Sequence, residues 1–258
     1  MGAPFPFTGH NIVLPDGEQT APDLGHILED SGTCQAALRT LRMLYPAEQR
    51  ATKRIIDLGC LEGGYAVAFA RAGFEVLGLE ARSINFAKCL YVASKTDLPN
   101  MTFVQDDVRN LESYGTFDVV FCSGLLQHLD NPVDFIRTMS RCTRRALILN
   151  THYAALELPP RNDLASNLSP MTTHLGVSGR WYQEYTDDAT QEVVEGAVWS
   201  AWGNARSFWI EKYHLLQALR EAGFPAIYEQ YDHLDHLVKD IGDFSPSMLR
   251  GTFIAVKE

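Results

Sequence analysis

Asp57 stands at the end of an apolar run and directly before a glycine turn, in the segment R-I-I-D-L-G-C-L-E-G-G from Arg54 to Gly64. Turns that meet a pyrophosphate leave the helix N-terminus free of negative charge. An acid ahead of the glycines would repel that group and suits a cationic ligand carrying an ammonium and a sulfonium. A second acid, Glu80, ends the next apolar run about 20 residues beyond the turn, where such units hold a ribose hydroxyl. Eight histidines are present. His128 and His152 follow the fourth and fifth apolar runs, and His174 lies further on. Histidine is the natural general base near neutral pH, so these three are the candidates for taking a proton from an acceptor group.

The elements that must position these residues are legible in the pattern. Ile55, Ile56 and Leu58 form a strand-length run, Gly59, Gly63 and Gly64 punctuate it, and Val67, Phe69 and Ala70 lead into a short helix stopped by Gly73. Glu75 to Leu79 is the next strand, Met101 to Val104 the third, Phe117 to Cys122 the fourth and Ala146 to Asn150 the fifth. Asn131-Pro132 opens a helix as N-cap and first helical residue, with Val133, Ile136 and Met139 on one face. Ala37, Leu38, Leu41 and Leu44 have helical spacing, which predicts a helix from about Cys34 to Tyr45 beside the first strand.

At this point the sequence resembles the class I S-adenosylmethionine-dependent methyltransferases, whose first motif is an acid followed by alternating glycines. Gly59 and Gly63 keep the outer glycine places, and Leu61 stands where the middle glycine usually stands. The resemblance is strong from about Lys53 to Tyr153 and resumes from Ser207 to Glu258. It implies a Rossmann-like, doubly wound α/β fold with a seven-stranded sheet, helices on both faces and a final antiparallel hairpin from Ala226–Tyr231 and Thr252–Val256. It implies that Asp57, Gly59, Leu61, Gly63 and Glu80 hold S-adenosyl-L-methionine, with S-adenosyl-L-homocysteine as product. Asp106 and Asp107, the latter better aligned, would lie near the adenine amino group with the Val108 N–H. Ser123 opens S-G-L-L-Q-H-L, which is similar to the segment that passes the methionine moiety in this family. Ser207-Phe208-Trp209-Ile210, with Leu215, Leu216 and Leu219, resembles the late helix of small-molecule methyltransferases.

Length and charge bound the remaining possibilities. The 258 residues suit one large α/β domain with an insertion, here residues 51–258, preceded by an arm and helix over 1–50 that cover the site. A net charge of −10 offers no global basic field for a polyanion. Five cysteines without a C-x-x-C pair fit a reducing cytoplasm, and no stretch approaches a membrane span. Residues 154–206 are too long for an ordinary connection and carry Trp181, Tyr182, Tyr185, Trp199 and Trp202, which reads as an inserted aromatic lid over a small-molecule substrate. A homodimer flap is the alternative use of those rings.

The resulting expectation is methyl transfer to a small-molecule acceptor, at oxygen, on a sugar or a secondary-metabolite hydroxyl. A hydroxyl acceptor needs a base or a metal, and His128 or His152 is the expected base. His128-x-Asp130, His152 and Asp187-Asp188 could offer hard ligands to Mg²⁺, although no compact motif supports a metal. His233 and His236 lack the further ligands zinc would need. Two rivals stand beside this reading. One is an RNA- or tRNA-modifying enzyme, for which Arg141, Arg144 and Arg145 are the one tight basic group. The other is a non-catalytic partner that keeps the cofactor fold.

Overall fold

A computed structural model describes residues 5–158, 165–231 and 249–257. Five parallel strands form the frame: β1 (Arg54–Leu58), β2 (Glu75–Glu80), β3 (Met101–Gln105), β4 (Phe117–Ser123) and β5 (Thr143–His152). Three further strands, β6 (Thr172–His174), β7 (Val177–Gln183) and β8 (Arg206–Ile210), make a separate antiparallel sheet. β9 (Ala226–Gln230) and β10 (Arg250–Val256) complete the main sheet, whose order is β3-β2-β1-β4-β5-β10-β9. β10 is antiparallel to both its neighbours. The expected seven-stranded α/β sheet and final hairpin are therefore present.

Strand alternation divides the core between two faces. Ile55, Val119, Phe121, Ile148 and Ile254 join the cluster under α1 (Gly32–Leu44), α2 (Gly64–Arg71) and α3 (Ser83–Lys95). Ile56, Leu58, Val120, Leu147, Leu149 and Phe253 join the other, under α4 (Pro132–Cys142) and α6 (Lys212–Glu221). Both faces are covered, which is why the parallel strands read as continuous apolar runs. Asn131 caps α4 by accepting from the Asp134 N–H, with Pro132 as the first helical residue, as the sequence predicts.

The strand order reverses between β1 and β4, and ligand crevices form outside the carboxyl ends of strands at such a point. Asp57, Glu80, Ser123 and His152 all sit at or beside those ends.

The segment after β5 differs from expectation at its far boundary. Ser207-Phe208-Trp209-Ile210 is not the start of a helix but part of strand β8, and the helix begins at Lys212. Period two explains the difference. Phe208 packs on Trp181 and His174, while the next residue, Trp209, stacks with Tyr182 and His152 on the opposite side. The inserted layer thus runs through Ile210, closed by a bond from the Ala154 N–H to the Ile210 carbonyl. It also contains the short helix α5 (Gln191–Gly196). His233 and His236 lie outside the described residues, as does part of the insertion.

Phe69 tests the packing around β1 and β4. It is fully buried, with its ring edge-on to Phe121 at 5.0 Å. Phe69→Ala is expected to cost about 3–5 kcal/mol through lost transfer energy and the residual cavity. Equilibrium urea unfolding checks this, and a loss below about 1 kcal/mol would contradict the packing described.

Candidate active site

A cavity of about 460 Å³ opens where the strand order reverses, and it gathers Asp57, Gly59, Leu61, Glu80, Asp107, Val108, Ser123, His128 and His152 on one lining. Gly63 is not on that lining. It caps α2 at φ +81° behind the loop, where a Cβ would meet the Phe103 ring at 2.7 Å. Asp106 is also off the lining. Its carboxylate is engaged by Tyr114 Oη at 2.7 Å, Asn110 Nδ2 at 2.7 Å and the Asp107 N–H at 2.8 Å. Asp107 caps the turn that follows and pairs with Arg109 at 3.1 Å.

The glycine turn keeps its shape despite the substitution at its centre. Gly59, Leu61 and Gly63 all have left-handed backbones, with φ of 64°, 54° and 81°. Leu61 is a residue that rarely adopts this conformation, at a cost of about 1–2 kcal/mol. Two contacts hold it there. Its N–H donates to Glu80 Oε2 at 3.0 Å, and its side chain fills the space beside Gly9, where a Cβ would lie 2.6 Å from Leu61 Cδ2.

Asp57 is buried, and its Oδ2 has no hydrogen-bond partner. Burial, reinforced by the neighbouring charge of Glu80, pushes its carboxyl up to about 8. Burial also raises Glu80, although it accepts from the N–H groups of Leu61 and Arg82. Two acids this close, one with an orphaned oxygen, make a site that favours a cation and hydroxyl donors. The residues present therefore fit an aminoacyl-nucleoside carrying positive charge.

Sequence reasoning missed Glu62. Its carboxylate is wholly buried and accepts from the N–H groups of Thr8 (2.8 Å), Gly9 (3.0 Å) and His10 (2.7 Å), and from Lys88 Nζ at 2.7 Å. Burial alone would raise its pKa, but Lys88 and the three amides hold it below the usual carboxylate range. The arm is thereby fixed against the turn, and Gly9 and His10 join the cavity lining. His10 is pushed down to about 4, chiefly by burial, and its neutral ring accepts from the Gly64 N–H through Nδ1. The one signal in the sequence was Lys88, which falls on the buried face of α3 with Asn85, Cys89 and Val92.

The far side of the cavity is built by the insertion. Val198, Trp199, Ser200, Ala201, Trp202 and Asn204 line it. Arg82 holds this stretch through the carbonyls of Ser200 (2.8 Å), Ala201 (2.9 Å) and Val194 (3.3 Å), with its guanidinium 5.6 Å from the Trp202 ring centre. His128 Nδ1 lies 2.8 Å from Oε1 of the buried Glu184. His152 stacks on Trp209 at 4.7 Å, and Tyr182 stacks on the same indole at 4.9 Å. Arg250 enters the cavity from β10, its Nε donating to Asn150 Oδ1 at 2.7 Å. His174 packs instead against Trp181 and Phe208 and is absent from the lining.

Two of the possible hard ligands are engaged by arginines. Asp130 pairs with Arg109, and Asp187 pairs with Arg206. Among the described residues no group of three or more His, Cys, Asp or Glu side chains could hold a metal ion.

Comparisons with known proteins agree with this architecture. Residues 55–146 match the family described as a methyltransferase domain. The ubiquinone biosynthesis O-methyltransferase of Rickettsia typhi is 32% identical over 83 residues, which is 32% of this chain and 33% of that protein. The chain therefore matches about a third of the length of its curated relatives. Among solved structures, the N-terminal domain of EvdMO1 in the presence of SAH and D-fucose aligns with TM-score 0.65 and 22% identity, over 94% of this chain and 88% of that one. The SAH-bound magnesium protoporphyrin IX methyltransferase of Synechocystis PCC 6803 aligns with TM-score 0.53 and 16% identity, over 88% and 84%. The fold is that of the class I methyltransferases. Within that fold, residues 55–146 carry the methyltransferase-domain match, so this segment is similar to the cofactor-binding part of S-adenosylmethionine-dependent methyltransferases.

Glu62→Gln is expected to destabilise the protein by about 3–5 kcal/mol, because Lys88 is left charged and buried. Limited proteolysis should then cut first within the arm between Thr8 and Gln19. The wild-type contribution of Glu62 is present above the unfolded carboxylate pKa and is lost as pH falls through its lower folded value. A Glu62→Gln protein with wild-type stability at pH 7 and an uncut arm would contradict this account.

Proposed function

We propose that this chain is an S-adenosylmethionine-dependent methyltransferase that methylates a small molecule at oxygen. The observation that carries the reading is the meeting, in one cavity, of the Asp57–Glu80–Asp107 acid set with His128, whose imidazole is backed by the buried Glu184. Asp57 would meet the methionyl ammonium, Glu80 the ribose hydroxyls, and Asp107 with the Val108 N–H the adenine. When bound, the cofactor supplies an electrophilic sulfonium methyl. The protein's task is then alignment, exclusion of water and removal of the acceptor proton.

His128 is the better placed of the two expected bases. A carboxylate at Nδ1 keeps the proton on that nitrogen and makes Nε2 the acceptor, 3.4 Å from the Gln127 Nε2 donor that an acceptor hydroxyl would displace. His152 has its ring face committed to Trp209, which suits it to shaping the acceptor space. Within the insertion, the stretch from Val198 to Asn204 would serve as the substrate lid, since all of it but Gly203 lines the cavity.

A sugar or secondary-metabolite hydroxyl is the acceptor class we favour. Aromatic side chains and scattered polar groups (Gln127, His128, Tyr182, Trp209 and Arg250) share that part of the lining. The EvdMO1 domain studied with D-fucose has a related fold.

The nucleic-acid rival finds little support. Arg144 and Arg145 begin β5, at the opposite end of that strand from His152. Arg141 pairs with Glu112 at 2.5 Å, Arg144 lies 3.9 Å from Asp118, and Arg145 donates to the Lys257 carbonyl. We place the protein in the cytoplasm, a reading supported by five free, buried cysteines. Among the described residues no helix is long and apolar enough to cross a membrane.

Two outcomes test this reading. Because free Asp57 holds its proton up to about 8, binding a cation there must release it. Calorimetric affinity for S-adenosylmethionine should rise by up to about tenfold per pH unit between pH 6 and 7.5, then fall above pH 8 as the methionyl ammonium loses its own proton. A pH-independent affinity would remove Asp57 from the role given it, and absence of binding would sink the enzyme reading. Once an acceptor is found by screening sugars and phenols, His128→Ala should lower kcat by about 10²–10⁴ while leaving cofactor affinity within about threefold. Equal kcat values would transfer the role to another group.

A further inference from the structure

Glu184 is the buried carboxylate on which two parts of the cavity converge. Its side chain is wholly inaccessible, and no lysine or arginine pairs with it among the described residues. Three donors supply its hydrogen bonds. Oε1 lies 2.8 Å from His128 Nδ1 and accepts from Ser207 Oγ at 2.6 Å, while Oε2 accepts from the Ala201 N–H at 3.1 Å. A buried carboxylate left without partners is costly, so each of these donors is held in place by the cost of losing it.

The Ala201 peptide is gripped from both sides. Its N–H goes to Glu184, and its carbonyl accepts from Arg82 and from the Tyr185 hydroxyl. The Arg82 backbone N–H in turn donates to Glu80 Oε1 at 2.9 Å. A continuous series of hydrogen bonds therefore runs from the acid at the end of β2, through Arg82 and Ala201, to Glu184 and the imidazole of His128.

We infer that Glu184 is a positioning residue that fixes the proton-accepting nitrogen of His128 and anchors the 198–204 segment through the same carboxylate. Its acceptor-only oxygens make Nδ1 the protonated nitrogen and leave Nε2 as the accepting nitrogen, which here faces the Gln127 side-chain amide at 3.4 Å. The Ala201 N–H reaches it only when the segment lies in the place seen here. Base and cavity wall are consequently assembled together, and Arg82 extends that assembly to the nucleotide side. This inference rests on the reading of His128 as the acceptor base.

The experiment uses the full chain labelled with ¹⁵N-histidine, with S-adenosylhomocysteine as the probe. Long-range ¹H–¹⁵N spectra report which ring nitrogen carries the proton, and loss of one signal in His128→Gln assigns it. In the wild type the proton should sit on Nδ1. In Glu184→Ala the Nε2-protonated form, which is the wrong one for a base facing the cavity, should become the major tautomer. Amide exchange at Ala201 should quicken by about tenfold, the worth of one hydrogen bond. Asp187→Asn, which removes an exposed carboxylate from the same loop, should change neither readout.

If Glu184→Ala fails to fold, Glu184→Gln keeps the volume but cannot accept from all three donors, so at least one of the two readouts must shift. A wild-type His128 protonated on Nε2 alone would overturn the inference. So would unchanged tautomer and exchange in the folded variant. Failure of the chain to bind S-adenosylhomocysteine would count against the methyltransferase reading instead, because the tautomer and the Ala201 exchange are measurable without it.

Discussion

The cavity depends on an ion pair that never touches its interior. Glu62 and Lys88 are both buried, 2.7 Å apart, and the carboxylate also collects three backbone amides of the arm. Taking both charges out of water is expensive, and it is offset only because nearly every lone pair of the carboxylate is used. The consequence is geometric. Arm, glycine turn and α3 can satisfy Glu62 only in one mutual arrangement, and that arrangement puts Gly9 and His10 against the cavity while leaving Asp57 open to it.

Around that anchor the site carries an electrostatic imbalance. Asp57 and Glu80 are both buried at the ends of adjacent strands, and burial drives both carboxyls upward. A fold does not keep an unpartnered acid oxygen in its interior for stability, since the same volume filled with apolar atoms would hold together better. The unused bonding capacity is most simply understood as space kept for a cationic partner. Leu61 tells a similar story on a smaller scale. Its left-handed backbone is strained, and its side chain fills the contact with the arm that a glycine would leave empty.

Much of this was legible in the sequence, and the reason is locality. Asp57, Gly59, Gly63, Glu80 and the strands that carry them lie within a single βαβ unit, where short-range pattern dictates position. The N-cap at Asn131 and the helix under Leu41 are equally local. What was not legible is the long-range pairing. Glu184 meets His128 across 56 residues, and Glu62 meets His10 across 52. No periodicity encodes either. Resemblance alone assigns Ser207–Ile210 to a helix, whereas the alternation of Phe208 and Trp209 between two packed faces decides for a strand.

The inserted layer leaves and rejoins the domain at nearly the same point. Ala154 bridges to Glu211, and its N–H bonds to the Ile210 carbonyl at 2.8 Å, so the departing and returning strands are stapled together. A loop whose ends are already joined can change length at small entropic cost to the scaffold. The half of the cavity that would hold the nucleotide is built almost wholly outside that loop, while much of the opposite wall is built within it. Such an arrangement would let that wall be exchanged as a cassette, by grafting or drift, without re-solving the folding problem of the sheet beneath.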